Sequence, residues 1–287
     1  MGLRPPRPGG PLPAERRLAP GGRVSHATTT TPRHELKFWL AEAGWAQLIA
    51  ALGSLLLPDP HGAKPTEPSY TVISLYFDSP RWDAYFEKVE GLKQRCKVRL
   101  RRYDRDRTGF LEAKLKHGRR IAKRRCDLDA GDLAAVARGD LRPLRRAADE
   151  RRDAAAARLL REFALRDLRP AVITRYVRTA YLWADDPALR LTLDREFVCW
   201  GKDLPETFLR EDADSLPLLE PELRGPGILE LKCSGPVPSD AGAFLRRIGA
   251  ERKSISKYCL AVERARGERG LRTLPRLPHP AEPTSHA

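Results

Sequence analysis

The sequence lacks the hallmarks of several common protein classes. No apolar run approaches the ~20 residues that a membrane-spanning helix needs, and the first residues contain no apolar segment typical of a secretory signal. The five cysteines are far apart, odd in number and form no C-x-x-C pair. This spacing argues against a disulfide framework or a structural zinc site and favours a reducing compartment. We therefore expect a cytoplasmic protein without a membrane segment of its own.

Familiar catalytic motifs are missing as well. There is no G-x-x-x-x-G-K-[ST] loop, which excludes a P-loop NTPase. No H-E-x-x-H, G-x-S-x-G or G-x-G-x-x-G occurs in a usable context. Nucleic-acid binding would require aromatic side chains between the cations, so that bases could stack on them. The cations of the strand-like runs are instead flanked by Leu, Val and Ala, so we expect no nucleic acid as a partner.

Positive charge is abundant. The chain has 287 residues, with 53 Lys and Arg against 38 Asp and Glu, and a net charge of +15. Such a balance favours an anionic partner. Residues 1–32 and 266–287 are rich in Pro, Gly or Arg and show no periodicity, which predicts two disordered tails. The folded domain is expected to be 33–265.

Glutamate and lysine sit two apart in three strand-like runs, at Glu35-Leu-Lys37, Glu112-Ala-Lys114 and Glu230-Leu-Lys232. Side chains two apart on a strand point to the same face. Each of these strands therefore has one charged and one apolar face. Because three such pairs recur, we expect them to be placed symmetrically around a closed barrel.

The predicted fold is α+β, an antiparallel β-barrel with a charged interior and helices packed outside. Strands are expected at 70–78, 96–103, 109–117, 171–183, 188–198 and 227–233. Helices are expected at 41–57, 81–90, 127–165 and 239–264, with breaks near 139–143 and 253–256.

Nine cations and four carboxylates are expected to face the interior. The cations are Lys37, Lys97, Arg99, Arg101, Lys114, Lys116, Arg178, Arg190 and Lys232; the carboxylates are Glu35, Glu112, Asp194 and Glu230. Isolated buried charges are costly, so an interior with excess cations needs an anionic ligand. Arg forks and Lys point charges both suit phosphoryl oxygens, and carboxylates among them would suit a divalent metal. The composition of this face predicts a site for a multiply charged phosphate.

The order of these motifs resembles the vacuolar transporter chaperone (VTC) domain of the triphosphate tunnel metalloenzyme superfamily. The resemblance spans essentially all of 33–265. It runs through Ser74-Leu-Tyr-Phe-Asp78, Ala84-Tyr-Phe-Glu-Lys88, Gly91-Leu-Lys93, Lys97-Val-Arg-Leu-Arg101, Phe110-Leu-Glu-Ala-Lys114, Lys123-Arg-Arg125, Tyr176-Val-Arg-Thr-Ala180, Arg190-Leu-Thr-Leu-Asp194, Leu229-Glu-Leu-Lys232 and Ser256-Lys-Tyr258.

The resemblance implies an activity. Enzymes of this family build inorganic polyphosphate from the γ-phosphate of ATP inside a basic tunnel, with a divalent metal that is typically manganese. It therefore implies ATP and polyphosphate as ligands and Mn²⁺ (or Mg²⁺) as cofactor. Related eukaryotic proteins work with membrane-embedded partners, so such a partner, like the oligomeric state, stays open.

The resemblance also assigns roles to individual residues. It implies phosphate contacts and catalysis by Arg99, Arg101, Lys114, Arg178, Arg190 and the late tunnel lysine Lys257. Further phosphate-binding residues would be Lys37, Lys97, Lys116, Lys123, Tyr176 and Lys232. The metal would be held by Glu230, together with Glu35 and Glu112. For all three glutamates, an ion pair with a neighbouring cation is the competing interpretation.

The chain departs from the superfamily at one point. The superfamily usually opens with Glu-x-Glu-x-Lys, whereas this chain has Arg33-His-Glu-Leu-Lys37. A cation in place of the first glutamate removes a metal ligand and disfavours a metal-dependent triphosphate hydrolase. Two alternatives to a polyphosphate polymerase stay open: that hydrolase, and a non-catalytic module that binds polyphosphate or triphosphate.

Overall fold

An antiparallel sheet with helices against it forms the described part of the protein. The computed structural model describes residues 34–59, 69–103, 106–118, 120–186, 188–210, 227–233, 237 and 239–272. The predicted N-terminal tail, and the predicted C-terminal tail beyond residue 272, lie outside these residues. The α+β class with an antiparallel sheet is confirmed.

The described strands are β1 His34–Leu40, β2 Leu56–Pro58, β3 Ser69–Asp78, β4 Gln94–Tyr103, β5 Gly109–His117, β6 Arg120–Leu128, β7 Arg169–Trp183, β8 Arg190–Trp200, β9 Gly227–Cys233 and β10 Glu251–Arg252. The described helices are α1 Glu42–Leu52, α2 Asp83–Val89, α3 Ala130–Ala137, α4 Arg142–Asp149, α5 Ala154–Arg166, α6 Leu204–Leu209, α7 Ser239–Arg247 and α8 Lys257–Arg272. No helix within these residues is long and apolar enough to cross a bilayer.

The sheet has the strand order β10-β1-β9-β8-β7-β3-β4-β5-β6, and β2 pairs with β7. Among the described strands, β6 and β10 end this hydrogen-bonded ladder, so its backbone pairing does not close into the predicted barrel. The sheet nevertheless curls strongly. This is evident from Lys114 Nζ of β5, which lies 3.1 Å from Glu35 Oε2 of β1. Side chains from distant strands thus meet across a shared inner face.

The outer face of the sheet is apolar and carries most of the helices. Over β3 to β6, the core includes Leu75, Leu100 and Leu111 against Leu159 and Phe163 of α5. Each fully buried side chain of this kind contributes about 1.5–3 kcal/mol. A second core joins α1 and α7 to β1, β8 and β9. The alternation read from the sequence therefore orients the sheet correctly, with charged residues inside and apolar residues outside.

Helix α8 departs from the expected arrangement because it packs on the inner face. Tyr258 and Val262 of α8 share a buried cluster with Tyr76 of β3 and Val172 of β7. The helix also runs to Arg272, so residues 266–272 are helical, whereas the sequence predicts a tail there. The first turn of α8 consequently faces the charged side chains of the sheet.

Several other elements differ from the sequence prediction. The short strands β2 and β10 overlap stretches predicted as helices, and α6 was not expected. Strand β6 was not expected, because its Lys123-Arg-Arg125 run places cations on both faces of an edge strand. The region 127–165 contains three helices after this strand, where two were expected. Asp129 and Asp153 begin α3 and α5, and their carboxylates accept hydrogen bonds from the first backbone N–H groups of each helix.

Candidate functional site

Strands β1 and β9 interleave their charges. Their antiparallel register places Lys37 opposite Glu230 and Glu35 opposite Lys232. The Lys37 Nζ atom lies 3.1 Å from Glu35 Oε1 and 3.3 Å from Glu230 Oε1. Two of the three Glu-x-Lys pairs thus form one alternating patch, because each strand supplies the counter-charges of the other.

Glu230 is surrounded by cations. Its carboxylate lies 2.6 Å from Lys257 Nζ, 3.2 Å from Lys232 Nζ and 3.9 Å from Arg178 NH2, in addition to the Lys37 contact. Although burial opposes ionisation, these cations hold the pKa of Glu230 well below its usual range, with Lys257 and Lys37 the strongest. Glu230 is therefore ionised, and its carboxylate is paired with cations on both oxygens.

Asp194 completes a buried ion-pair cluster, which consists of Arg178, Asp194, Glu230 and Lys257. The Arg178 guanidinium donates two hydrogen bonds to Asp194, with N–O distances of 2.6 and 2.7 Å. Lys257 Nζ lies 2.5 Å from the same carboxylate. All four side chains are at most 10% exposed. Burial opposes the charge of Lys257, but the two carboxylates raise its pKa above the ordinary value.

Tyr176 forms the floor of this cluster. Lys257 Nζ lies 5.1 Å and Arg178 Cζ 5.4 Å from the centroid of its ring, within cation–π range. Its hydroxyl accepts a hydrogen bond from Arg101 NH2 at 3.3 Å. Because Tyr176 is 1% exposed, it supports cations in this structure and presents no open surface to a ligand.

Strands β4 and β5 supply a second group of charges. Arg99 NH2 donates to Glu112 Oε1 at 2.7 Å, and Arg99 NH1 donates to the Tyr76 hydroxyl at 3.4 Å. Burial opposes ionisation of Glu112, but Arg99 and Arg101 lower its pKa to about 2. Arg101 is buried and donates from Nε to Ser74 Oγ at 3.0 Å.

Three predicted lysines lie towards the margins of the face. Lys97 Nζ donates to Ser256 Oγ at 2.6 Å, just before α8 begins. Lys123 stands opposite Lys114 in the ladder, on the exposed edge strand β6. Burial and the charges of Arg95 and Lys114 lower the pKa of Lys116.

Arg190 and Lys232 lie opposite each other on β8 and β9. Arg190 NH2 lies 2.7 Å from Asp59 Oδ2 and 3.3 Å from the Tyr70 hydroxyl. Burial lowers the pKa of Lys232 to about 8, although Glu230 opposes this shift. Asp59 has no motif around it, so its pairing with Arg190 could not be predicted.

Among the described residues, five half-exposed cations that pair with a carboxylate line the same inner face. They are Lys37, Arg99, Lys114, Arg190 and Lys232, with side chains 21–35% exposed. Each has at least one carboxylate partner and still reaches solvent. They can therefore bind an entering anion without leaving the sheet, as Lys257, Arg178 and Arg101 cannot from their buried positions.

The position of Lys257 depends on a contact that the sequence did not reveal. Its neighbour Tyr258 donates a short hydrogen bond to the buried carboxylate of Asp78. Asp78 also accepts from the backbone N–H groups of Ser79, Ala84 and Tyr85, at 2.7, 2.9 and 3.2 Å. Asp78 thus ties the end of β3 and the start of α2 to the first turn of α8. The motif Ser74-Leu-Tyr-Phe-Asp78 contained this residue but not its function.

Cations surround each of the predicted metal ligands. Glu230, Glu35 and Glu112 are each paired with cations, and no group of three or more His, Cys, Asp or Glu within the described residues could hold a metal ion. Lys257 takes the position between Asp194 and Glu230 that a bridging cation would need. The arrangement of these side chains therefore fits an anion and does not fit Mn²⁺ or Mg²⁺.

Comparison with known proteins identifies one family. The family model described as the VTC domain matches residues 32–266. No curated protein matches the chain significantly. Solved structures with some similarity include a Bacillus halodurans protein provisionally called an adenylate cyclase, with 11% identity, TM-score 0.47 and coverage of 78% of this chain and 95% of that one. A Pyrococcus horikoshii OT3 protein has 12% identity, TM-score 0.40 and coverage of 80% and 98%. At these TM-scores, neither similarity bears on function.

Proposed function

This chain belongs to the VTC domain family, and we propose that it synthesises inorganic polyphosphate from ATP. The family places it among proteins that act on polyphosphate or bind triphosphate. The observation that best supports synthesis is the row of five half-exposed cations on one curled face, backed by the buried ion-pair cluster. Such a face can hold two phosphate chains close together and neutralise both.

In the proposed reaction, a terminal oxygen of the polyphosphate chain attacks the γ-phosphorus of ATP. A new P–O bond forms, the bond between the γ-phosphorus and the β-bridging oxygen breaks, and ADP leaves. The acceptor is already an anion at neutral pH, so no strong general base is required. Catalysis of this kind rests on positioning and charge neutralisation.

The half-exposed cations would supply the direct phosphate contacts. Lys37 and Lys232 lie on one side of the face, Arg190 beside them, and Arg99 and Lys114 on the opposite strands. Lys97, Lys116 and Lys123 would extend the contacts towards the margin. The positive potential of the face would be supported by buried residues beneath it, namely Arg101, Arg178, Lys257 and Tyr176. The buried charges of Arg101, Arg178 and Lys257 cannot relax away from the phosphates, which is the condition for electrostatic stabilisation of a transferring group.

A non-catalytic binding module is the second candidate. The ion pairing of the carboxylates favours it. Glu35, Glu112, Asp194 and Glu230 are each held by cations, so they supply no metal site for turnover in this arrangement. The same cations would still bind polyphosphate tightly. The third candidate is a triphosphate hydrolase. It is disfavoured by Arg33 in place of the superfamily's first glutamate, and Arg33 lies outside the described residues.

One experiment separates these functions. Purified protein is incubated with ATP and a short polyphosphate primer, with Mn²⁺, with Mg²⁺ or with EDTA, and long chains, ADP and free phosphate are measured. Synthesis predicts chain growth with one ADP per phosphate added. Free phosphate that outpaces chain growth would indicate a hydrolase, and tight polyphosphate binding without nucleotide turnover would indicate a binding module.

A further inference from the structure

A cleft of about 350 Å³ opens where α8 begins. This volume lies within the range of small-molecule sites, about 300–1,000 Å³. The cleft lies between β1, the end of α2 and the segment before α8. Its walls include Trp39, Lys88, Ser254, Ile255, Leu260 and Glu263.

The cleft adjoins the phosphate-binding face at two points. Trp39 follows Lys37 by two residues on β1, so both side chains leave the same face of the strand. Ser256, which also lines the cleft, accepts the hydrogen bond from Lys97. A ligand that has its phosphates on the half-exposed cations could therefore extend into the cleft without a break.

The chemistry of the cleft differs from that of the charged face. Trp39, Ile255 and Leu260 line the cleft together with Lys88, Lys253 and Glu263. A phosphate chain has no apolar surface to place there. Glu263 adds a carboxylate that is tied to the Tyr85 hydroxyl at 3.2 Å, and a polyphosphate would meet a like charge at this point. The part of the wall formed by Trp39, Ile255 and Leu260 suits an uncharged, flat group.

Trp39 is half-buried. It lines both the cleft and a small cavity beside Asp194 and Phe197. The backbone of Trp39 is fixed between Ile228 of β9 and Glu251 of β10. A rigid backbone with an accessible ring is the arrangement used for base stacking, because every nucleobase offers a π-face.

We propose that this cleft binds the nucleoside part of the nucleotide substrate, with the base stacked on Trp39 and the triphosphate on the half-exposed cations. The inference rests on the proposed use of ATP and adds the residues that would recognise its uncharged end. It also gives the substrate a direction, since the γ-phosphate would lie farthest from Trp39, towards the centre of the charged face.

The test compares ATP with inorganic tripolyphosphate, which has the same phosphates and no nucleoside. Dissociation constants are measured by calorimetry for the wild type, Trp39→Leu and Trp39→Phe. We expect Trp39→Leu to weaken ATP binding about tenfold, the typical contribution of one stacked base, and to leave tripolyphosphate binding unchanged. Trp39→Phe should recover part of the loss. Trp45→Phe, a change in the α1 core, serves as the control and should alter neither constant.

The outcomes separate this inference from the proposed function. Equal losses for ATP and tripolyphosphate in Trp39→Leu would overturn the nucleoside cleft and leave polymer synthesis standing. A Trp39-dependent preference for ATP in a protein that makes no polymer would support the cleft and refute the synthesis. If Trp39→Leu fails to fold, indole quenching of the wild type decides: quenching by ATP but not by tripolyphosphate supports the cleft, and equal quenching refutes it.

Discussion

Two groups of charges on one sheet face differ in how they are held. In the buried ion-pair cluster, Arg178 and Lys257 are 10% and 7% exposed, and both contact Asp194 and Glu230. The half-exposed cations keep 21–35% of their side chains accessible. Removing one partner of a buried ion pair destabilises the fold more than removing one partner of an exposed pair. An exposed cation, in turn, stays available to a ligand. The first group should therefore determine stability and the second should determine affinity.

The largest expected effect comes from breaking the buried cluster at Lys257. Lys257→Met removes the ammonium that two buried carboxylates share, and the loss of one partner from a buried pair costs about 3–5 kcal/mol. The free energy of unfolding is measured in urea. Lys114→Met is the matched control, because its partner Glu35 is accessible to water, and it should cost less than about 1 kcal/mol. Equal losses for both variants would contradict the division into two groups.

Glu230→Gln is expected to have the next largest effect. It keeps the size of the side chain but removes a charge that faces four cations, so we expect a loss of about 1.5–3 kcal/mol in the free energy of unfolding. Polyphosphate should bind more tightly, because a carboxylate that faces the polyanion is gone. Both quantities are obtained from thermal unfolding with and without polyphosphate.

The same variant tests the metal assignment from the sequence. If Glu230 holds a divalent metal during turnover, the variant loses metal-dependent synthesis while it still binds polyphosphate. If Glu230 only neutralises Lys257 and its neighbours, turnover persists at an unchanged Mn²⁺ requirement. The ion pairs around Glu230 favour the second outcome.

Lys114→Ala tests the half-exposed group and should have a smaller effect on the fold than either change above. A charge-assisted contact contributes about 1.5–3 kcal/mol to binding, so polyphosphate affinity should fall tenfold or more. The free energy of unfolding should change by less than about 1 kcal/mol. Affinity is measured by calorimetry, with the exposed Arg151→Ala as control. Unfolding of Lys114→Ala without unfolding of the control would show that Lys114 is a structural partner of Glu35.

The same contrast explains which parts of the protein could be predicted from its sequence. Alternation along β1, β5 and β9 fixes which side chains share a face, and that information is local. The sequence therefore predicts the charged inner face, the apolar outer face and seven of the ten described strands, but not β6 or the short strands β2 and β10. Strand β6 escaped because its Lys123-Arg-Arg125 run does not alternate.

The partners within the face could not be predicted in the same way. Lys257 and Glu230 are 27 residues apart, and Asp59 and Arg190 lie on elements with no shared motif. Their pairing depends on the curl of the sheet and on the entry of α8 into the inner face, and no local periodicity encodes either. The resemblance to the VTC domain predicts Lys257 as a tunnel residue, but the buried pairs with Asp194 and Glu230 are visible only in three dimensions.

The smallest expected effect is a pH dependence that belongs to one half-exposed cation. The pKa of Lys232 is lowered to about 8 by burial, so its ammonium is lost in the free protein as the pH rises through 8. A bound polyanion favours the charged form and raises this pKa again. Binding must then take up a proton above pH 8, and linkage weakens it. For one such lysine, the loss of affinity reaches about tenfold one pH unit above the pKa.

We therefore expect polyphosphate affinity to fall between pH 7 and pH 9, as measured by calorimetry at constant ionic strength. Lys232→Arg should remove most of this fall, because a guanidinium stays charged throughout the range. Among the neighbours of Lys232, Glu230 and Glu35 have a lowered pKa and Arg178 a raised pKa, so these three keep their charges over the same interval and cannot produce the fall. A fall that persists in Lys232→Arg would assign the titration to another lysine, such as Lys97, whose pKa burial also lowers. An affinity that does not change with pH would contradict the lowered pKa of Lys232. It would mean that the Lys232 side chain is well solvated in the free protein.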